Sequence, residues 1–271
     1  MALDNTKRFG RFTSSKIVAL IKQGKIKMNE SELKEWKTQN PKSAIKTKLG
    51  GFQAAGLTYI QEKQIERRLG SRLDSETYSR AMAWGNFMER IVQNNLIQVD
   101  LGYRLCSDAT KIHENKDFEN YWSGTSDVEY YKGNKLTRIA EIKCYQKKKF
   151  ALYTDCILKQ DVELLKNDFP QEYWQIVSNC ILNNVTTGEA ISFMPFESEA
   201  EYIKTAAQNY EGSDMWKYRF IFEEEIYNLP FLKDGGYYNN INQFIFEVPK
   251  EDIEFLTSRV TQAINFMQND N

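Results

Sequence analysis

The sequence predicts a mixed α/β fold, and three observations lead to that prediction. The first hundred residues show mainly helical patterns, the middle of the chain is rich in β-branched and aromatic residues, and the last twenty residues again have apolar positions at helical spacing. With 271 residues and 41% hydrophobic content, the chain can bury a substantial core. We predict a single domain over 1–271, with a helical part at 1–100, a central core at 101–195 and a C-terminal extension at 196–271.

Helix-start and helix-stop residues divide the N-terminal part. Thr13, Ser14 and Ser15 form an N-cap cluster ahead of the first apolar run, and Gly70 is suited to end a later helix. The predicted helices span 16–21, 29–36, 58–69 and 79–98.

In the second half of the chain, the sequence predicts strands and helices in mixed order. The predicted elements are a β-rich segment at 102–144, a helix at 170–183 that ends at Thr186-Thr-Gly188, strands at 190–194, 218–223 and 243–247, and an amphipathic helix from Pro249 to about Met267.

A β-hairpin in the central core joins two acidic positions. Segments 128–131 and 136–142 are rich in β-branched and aromatic residues, and 132–135 between them has turn chemistry. A three-residue loop would place Asp127 opposite Glu141 on one face of the sheet. A two-residue turn would put them on opposite faces unless a bulge intervened.

A lysine follows on the same strand. Because strand side chains alternate, Glu141 and Lys143 share a face while Ile142 points toward the core. Carboxylates beside a lysine are what a protein needs to bind a hard divalent cation and hydrolyse a phosphodiester. An exposed sheet face that simply carries charged residues is the alternative.

Two helices offer further polar side chains to such a site. Glu89 lies one position off the apolar stripe of its predicted helix, and Gln175 flanks the stripe of another. A glutamate bordering the core must be paired, hydrogen-bonded or bound to a metal. The alternative for both residues is an ordinary surface position.

The N-terminal segment contains a candidate anion site. Arg8 and Arg11 lie just upstream of Ser14 and Ser15 at a predicted helix start, so guanidinium groups, hydroxyls and backbone N–H groups could bind a phosphate there. Plain helix capping is the alternative.

Composition excludes several other chemistries. The chain has one histidine and no Cys-x-x-Cys among its four cysteines, which argues against a serine triad, a histidine-rich zinc site and a zinc ribbon. It also has no Gly-rich phosphate loop and no dinucleotide-binding motif. No apolar run approaches the roughly 20 residues that span a bilayer, and the N-terminus lacks a secretion signal, so we expect no membrane contact and a cytoplasmic location.

The formal net charge of −1 indicates that any contact with nucleic acid is local rather than global. The candidate basic patches are Lys7-Arg8 with Arg11, the region 42–48, Arg67-Arg68, and 147–149.

Four segments of the chain are informative through their order and spacing. They are Arg8-Phe-Gly-Arg-Phe-Thr-Ser-Ser15, Ala81-Met-Ala-Trp-Gly-Asn-Phe-Met-Glu89, Trp122-Ser-Gly-Thr-Ser-Asp127 with Glu141-Ile-Lys143, and Tyr173-Trp-Gln175 ahead of Thr187-Gly188. In this order they resemble the lambda exonuclease or YqaJ-like family of phage-type recombination nucleases, which have a restriction-endonuclease-like core. Val128 stands where many relatives have glycine, and residues 24–55 and 196–246 match nothing in the family pattern.

The resemblance implies a four- to five-stranded mixed sheet flanked by helices, with the active site at the hairpin. Asp127, Glu141 and the Ile142 carbonyl would hold Mg²⁺ or Mn²⁺, and Glu89 would support that metal or a second one through water. Lys143 would position or deprotonate the attacking water.

The resemblance also implies a substrate and partners. Gln175 would orient the water or the substrate strand, and Arg8 and Ser15 would bind a 5′-terminal phosphate. The expected activity is 5′-to-3′ exonuclease digestion of linear double-stranded DNA that leaves 3′ overhangs for recombination. A homotrimer and a single-strand annealing partner are expected on the same basis. An endonuclease of the same fold and a DNA-binding module without catalysis are the alternatives.

Overall fold

A computed structural model of the chain describes residues 9–73, 78–105, 118 and 120–269. Within these residues the largest sheet has five strands of mixed direction. In sheet order they are β4 (Tyr103–Leu105), β6 (Val128–Lys132), β7 (Lys135–Lys143), β8 (Thr187–Phe193) and β9 (Ile241–Glu247). β7 and β8 are parallel, and the other neighbours are antiparallel. The mixed α/β fold is confirmed.

Two small sheets involve the N-terminal part, which is less helical than predicted. β1 (Phe12–Thr13) pairs in parallel with β5 (Trp122–Ser123), and β2 (Gln23–Lys27) pairs antiparallel with β3 (Thr47–Phe52).

Most of the predicted helices form near their expected ends. The α-helices are α1 (Glu30–Gln39), α2 (Ala54–Leu69), α3 (Arg80–Val99), α4 (Lys147–Leu158), α5 (Val162–Asp168), α6 (Pro170–Leu182), α7 (Ala200–Gln208), α8 (Arg219–Glu223) and α9 (Lys250–Asn269). Gly70 ends α2 with a φ of 67°, a left-handed conformation that favours glycine. The predicted first helix is a 3₁₀-helix, Ser14–Leu20. Among the described residues, no helix is both long and apolar enough to cross a membrane.

Helices cover both faces of the main sheet. Ile139 and Ala190 point toward one buried layer, which contains α6 and α9, while Ala140 and Ile191 point toward the other layer, with α3 and α7. This alternation follows from the pleat of a strand, and the two-sided cover explains why β8 and the second half of β7 are buried.

The turn between β6 and β7 sets the geometry of the site. Lys132 pairs with Lys135, so the turn has two residues, which is the second of the two alternatives that the sequence left open. Thr137 is an extra residue in the ladder and forms a β-bulge. The bulge shifts the pairing by one position, so Asp127 lies opposite Glu141. A bulge of this kind is what a two-residue turn needs to bring both residues to one face of the sheet.

Three other expectations are corrected. The predicted strand at 218–223 is the end of a 3₁₀-helix followed by α8, and Tyr218 and Ile221 are buried three residues apart, as on one helix face. Aromatic residues there favour a strand locally, but packing into the core layer of α3 decides otherwise. α4 was not predicted at all, and Thr187-Gly188 opens β8 rather than closing α6.

Candidate active site

The end of β7 carries two of the predicted site residues. Glu141 is completely buried, and its carboxylate accepts hydrogen bonds from the side-chain amides of Gln175, at 2.7 Å, and Asn179. The Lys143 ammonium lies 3.6 Å from the same carboxylate and donates to Oε1 of Gln175 at 3.1 Å. Gln175 of α6 therefore holds both charged groups in place.

Asp127 and Glu89 complete the cluster from two other elements. Oδ2 of Asp127, just ahead of β6, accepts the backbone N–H of Ile142 at 2.6 Å. Its carboxyl interacts electrostatically with those of Glu89 of α3 and Glu141. The structure thus brings together all five residues that the sequence singled out for the reaction. We call Glu89, Asp127, Glu141 and Lys143 the carboxylate cluster.

The carboxylate cluster has more acids than bases. Three carboxyl groups face one ammonium, and the pKa of every carboxyl is raised. Burial and the Asp127 charge raise the pKa of Glu89 to about 8 and that of Glu141 well above its usual value. Burial also raises the pKa of Asp127, although Lys143 and the Ile142 N–H oppose the rise. Burial acts to lower the pKa of Lys143, but the surrounding carboxylates raise it overall.

This donor set has the chemistry of a hard-cation site. Carboxylate and carbonyl oxygens are the ligands that Mg²⁺ and Mn²⁺ prefer, and Asp127, Glu141 and the Ile142 carbonyl supply them on adjacent strands. An additional positive charge would offset the excess of carboxylates. In the part of the chain that the structure describes, no set of three or more His, Cys, Asp or Glu side chains is arranged to hold a metal ion. The three carboxyls interact electrostatically with one another.

Sequence reasoning missed two amide side chains that position the cluster. Asn179 donates to Glu141 and, at 3.0 Å, to the carbonyl of Thr125. Gln93 donates to Glu89 at 3.2 Å and to the carbonyl of Asp127 at 3.1 Å. Both amides lie four residues from a predicted site residue on the same helix, so the i,i+4 spacing was the signal that could have found them.

The N-terminal segment packs against α6 behind the carboxylate cluster. The hydroxyls of Ser14 and Ser178 are 2.7 Å apart, and the indole N–H of Trp122 donates to Ser178 at 2.9 Å. A Cβ at Gly124 would lie 2.0 Å from Oγ of Ser14 and 2.2 Å from Oδ1 of Asn179, so only glycine fits there. The Ser14 hydroxyl is thus engaged in the interior.

The other predicted phosphate-binding residues lie nearer the surface. Arg11 donates to the Asn120 side chain at 2.9 Å, and burial together with the neighbouring Arg67 lowers its pKa. Ser15 is exposed and lines a hollow of about 420 Å³. Arg8, and Lys7 beside it, lie outside the described residues.

A second buried polar cluster lies on the opposite face of the sheet. Glu189 of β8 is completely buried, and its Oε2 lies 2.7 Å from Nε of Arg138 as an ion pair without hydrogen-bond alignment. The hydroxyl of Tyr103 donates to Oε1 of Glu189 at 2.9 Å, and Arg138 donates to that hydroxyl at 3.1 Å. We call Glu189, Arg138 and Tyr103 the paired cluster. The sequence did not predict it.

Sequence comparison alone does not assign the chain to a protein family. No protein-family model matches it, and no curated protein matches its sequence.

Solved structures match the fold over nearly the whole chain. An alkaline exonuclease, LHK-Exo, from Laribacter hongkongensis is 12% identical with a TM-score of 0.55, and the match covers 97% of this chain and 90% of that one. LHK-Exo in complex with dAMP matches at 13% identity and a TM-score of 0.56, with coverage of 98% and 91%. A phage-related exonuclease from Haemophilus somnus 129PT is 12% identical with a TM-score of 0.54, over 96% and 94%. The chain therefore has the restriction-endonuclease-like fold that its resemblance to phage-type exonucleases predicted.

Proposed function

We propose that this chain is a metal-dependent deoxyribonuclease that digests linear double-stranded DNA from the 5′ end and leaves 3′ single-stranded overhangs for recombination. The observation that carries the proposal is the carboxylate cluster, in which three elements bring acidic oxygens together beside one lysine at the end of β7. The shared fold supports it, because the similar structures are described as exonucleases.

The cluster would bind the cation through oxygen ligands. Asp127, Glu141 and the Ile142 carbonyl would hold one Mg²⁺ or Mn²⁺, and Glu89 would support that ion, directly or through water. When bound, such a cation polarises the phosphate and lowers the pKa of water.

Lys143 would stabilise charge on the scissile phosphate. From its place beside Glu141 it would also position or deprotonate the attacking water. Gln175 contacts both Lys143 and Glu141, and would orient the attacking water or the substrate strand from that position.

The 5′ end of the substrate would lie near the N-terminal segment. Arg11 and Ser15 are at or near the surface there, and with Arg8 they would bind the terminal phosphate through guanidinium and hydroxyl groups. Ser14 would act by fixing this segment to α6. A homotrimer and a single-strand annealing partner are part of the same proposal and depend on the family resemblance.

Digestion of defined DNA substrates tests the proposal. With Mg²⁺ or Mn²⁺ the purified protein should degrade linear duplex, faster when the 5′ end carries a phosphate than a hydroxyl, and chelation should stop the reaction. Lys143→Ala should reduce the rate by about a thousandfold, since it removes the charge beside the phosphate.

Closed circular duplex is the matched control and should remain intact. Cleavage of the circle would replace the exonuclease with an endonuclease of the same fold. A protein that leaves linear DNA intact under all metal conditions would refute the nuclease proposal.

A further inference from the structure

A segment of 25 residues in the N-terminal part folds without burying any side chain. Residues 25–49, which we call the arm, contain most of β2, all of α1 and the start of β3, and not one of them is buried. The arm lies within the range 24–55 that matches no part of the family pattern. Its conformation is therefore supported by its own hydrogen bonds and by the flanking residues 20–24 and 50–52, which we call its root, rather than by core packing.

The arm carries a charge opposite to that of the rest of the molecule. It contains seven lysines and three glutamates, a net charge of +4, whereas the whole chain has −1. The other residues therefore sum to −5. A basic segment on an acidic molecule concentrates positive potential in one place, which favours an anionic partner there.

One face of the arm's hairpin is open. Paired strand residues share a face, so Lys25, Lys27 and Leu49 lie on one side and Lys48 lies on the other. Lys48 forms an ion pair with Glu32 of α1, which neutralises it. Lys25 and Lys27 are exposed, and no acidic side chain of the described residues forms an ion pair with either.

The root of the arm is held firmly by the C-terminal helix. Arg259 of α9 is only 1% exposed, and it donates to the carbonyls of Leu20 at 2.7 Å and Gly51 at 3.0 Å. Its guanidinium also lies 4.0 Å from the ring centre of Phe52. A fixed root lets the exposed lysines hold a defined position relative to the body, which reduces the entropy lost on binding.

A hollow lies beside the helix that follows the arm. It has a volume of about 420 Å³ and is lined by Ser15, Lys16, Ala55, Glu62 and Gln171, among others. Ala55 is three residues beyond the end of β3, and Gln171 lies four residues before Gln175 on α6. The lining of the hollow thus includes both the helix that follows the arm and the helix that carries Gln175.

We propose that the arm is a second contact for the duplex, in which Lys25 and Lys27 bind backbone phosphates outside the active site. The inference deepens the proposed function and rests on it for the identity of the partner. Ammonium groups on a fixed hairpin suit the regularly spaced charges of a duplex and carry no base specificity.

The salt dependence of DNA binding tests the arm without any need for hydrolysis. The probe is a blunt duplex of roughly 30 base pairs, and fluorescence anisotropy is measured in EDTA between about 50 and 200 mM salt. Lys25→Gln/Lys27→Gln should weaken binding and reduce the slope of log K against log salt by about 2, close to one unit per phosphate contact. Lys25→Glu/Lys27→Glu should reduce affinity further.

The matched control is Lys132→Gln/Lys135→Gln, which removes two exposed lysines from the β6–β7 hairpin. Its slope should stay at the wild-type value, and circular dichroism should show both variants folded. Equal slopes for the arm variant and the control would overturn the arm proposal, as would an arm variant that changed only the oligomeric state.

The two proposals fail in different ways. A wild-type protein that digests DNA while the arm variant keeps the wild-type slope refutes the arm and leaves the nuclease proposal standing. A wild-type protein that never digests DNA but loses salt slope on Lys25→Gln/Lys27→Gln refutes the nuclease and supports the arm.

Discussion

The strand residues of the carboxylate cluster and of the paired cluster point to opposite faces of the main sheet, with β7 contributing to both, and the two clusters differ in charge balance. In the paired cluster, burial raises the pKa of Glu189, but its charge has a guanidinium partner at 2.7 Å that opposes the rise. In the carboxylate cluster, three carboxyls share the single ammonium of Lys143, and the pKa of each carboxyl is raised. Buried charge without a partner costs stability, so a fold retains it where it serves function. This difference indicates that the paired cluster is a structural ion pair, whereas the carboxylate cluster is the candidate active site.

The largest expected effect is on activity, from matched amide substitutions in the two clusters. Asp127→Asn removes a proposed cation ligand and should lower the rate of linear-duplex digestion by about a thousandfold or more. Glu189→Gln changes the same functional group on the other face of the sheet and should keep the rate per folded molecule within about tenfold. Single-turnover digestion with excess protein measures both rates. Equal losses in the two variants would remove the distinction between the clusters.

The same two variants should also differ in stability, but here Glu189→Gln should show the larger loss and Asp127→Asn the smaller one. Glu189→Gln places an amide N–H₂ group against Arg138 and leaves the guanidinium without a charged partner. It should lower the free energy of unfolding by about 2–3 kcal/mol, somewhat less than for a fully buried pair because the Arg138 side chain is 14% exposed.

Asp127→Asn relieves repulsion among the carboxyls while its oxygen can still accept the Ile142 N–H, so its stability in the absence of metal should be unchanged or about 1 kcal/mol higher. Urea denaturation in EDTA measures both changes. A strongly destabilised Asp127→Asn variant would show that the carboxylate cluster is a structural network.

A further effect is a pH dependence of stability that belongs to the carboxylate cluster. The pKa of Glu89 is about 8 in the folded protein, above its ordinary value of 4.5, so the folded state holds a proton that the unfolded chain has released. Binding of this proton by Glu89 stabilises the folded state. The stabilisation is complete below pH 4.5 and is lost as the pH rises through 8. Unfolding of the metal-free protein should therefore become easier from pH 6 to pH 8, by at most about 1.4 kcal/mol per pH unit for one proton.

Glu89→Gln is the variant that isolates this slope. It should reduce the pH dependence, to which Asp127 and Glu141 also contribute, whereas Glu189→Gln should keep most of it, because Arg138 opposes the rise in the pKa of Glu189. Thermal unfolding in EDTA across the pH range provides the measurement. Stability that rises with pH in the wild type would contradict the raised pKa of Glu89.

Local patterns were enough to find most of the elements and the main residues of the candidate site. The period of apolar residues and the stop at Gly70 are short-range signals, and the helices that they predicted at 29–36, 58–69 and 79–98 are present, with Asn29 and Ser79 as N-caps of two of them. The strand predicted at 218–223 was wrong. Its aromatic residues favour a strand locally, but in the structure they pack beside α3 as part of helix α8.

The residues of the candidate site were selected by type and order along the chain: Glu89, Asp127, Glu141, Lys143 and Gln175. Alternation along β7 placed Glu141 and Lys143 on one face without any knowledge of the fold. The amides that position them, Asn179 and Gln93, were missed, although each lies four residues from a site residue on the same helix; only the fold shows that Asn179 meets the carboxylate of Glu141 from another element.

The order of residues along the chain was sufficient for the α/β class, the hairpin and the acids and lysine of the candidate site, because helix and strand periods and turn chemistry act over a few residues. Tertiary packing decided the rest. The bulge at Thr137 set which face Asp127 occupies, and the shared burial of three carboxyls set their pKa values. Both depend on contacts between segments far apart in the chain, and such contacts exist only once the sheet and its two helical layers have assembled.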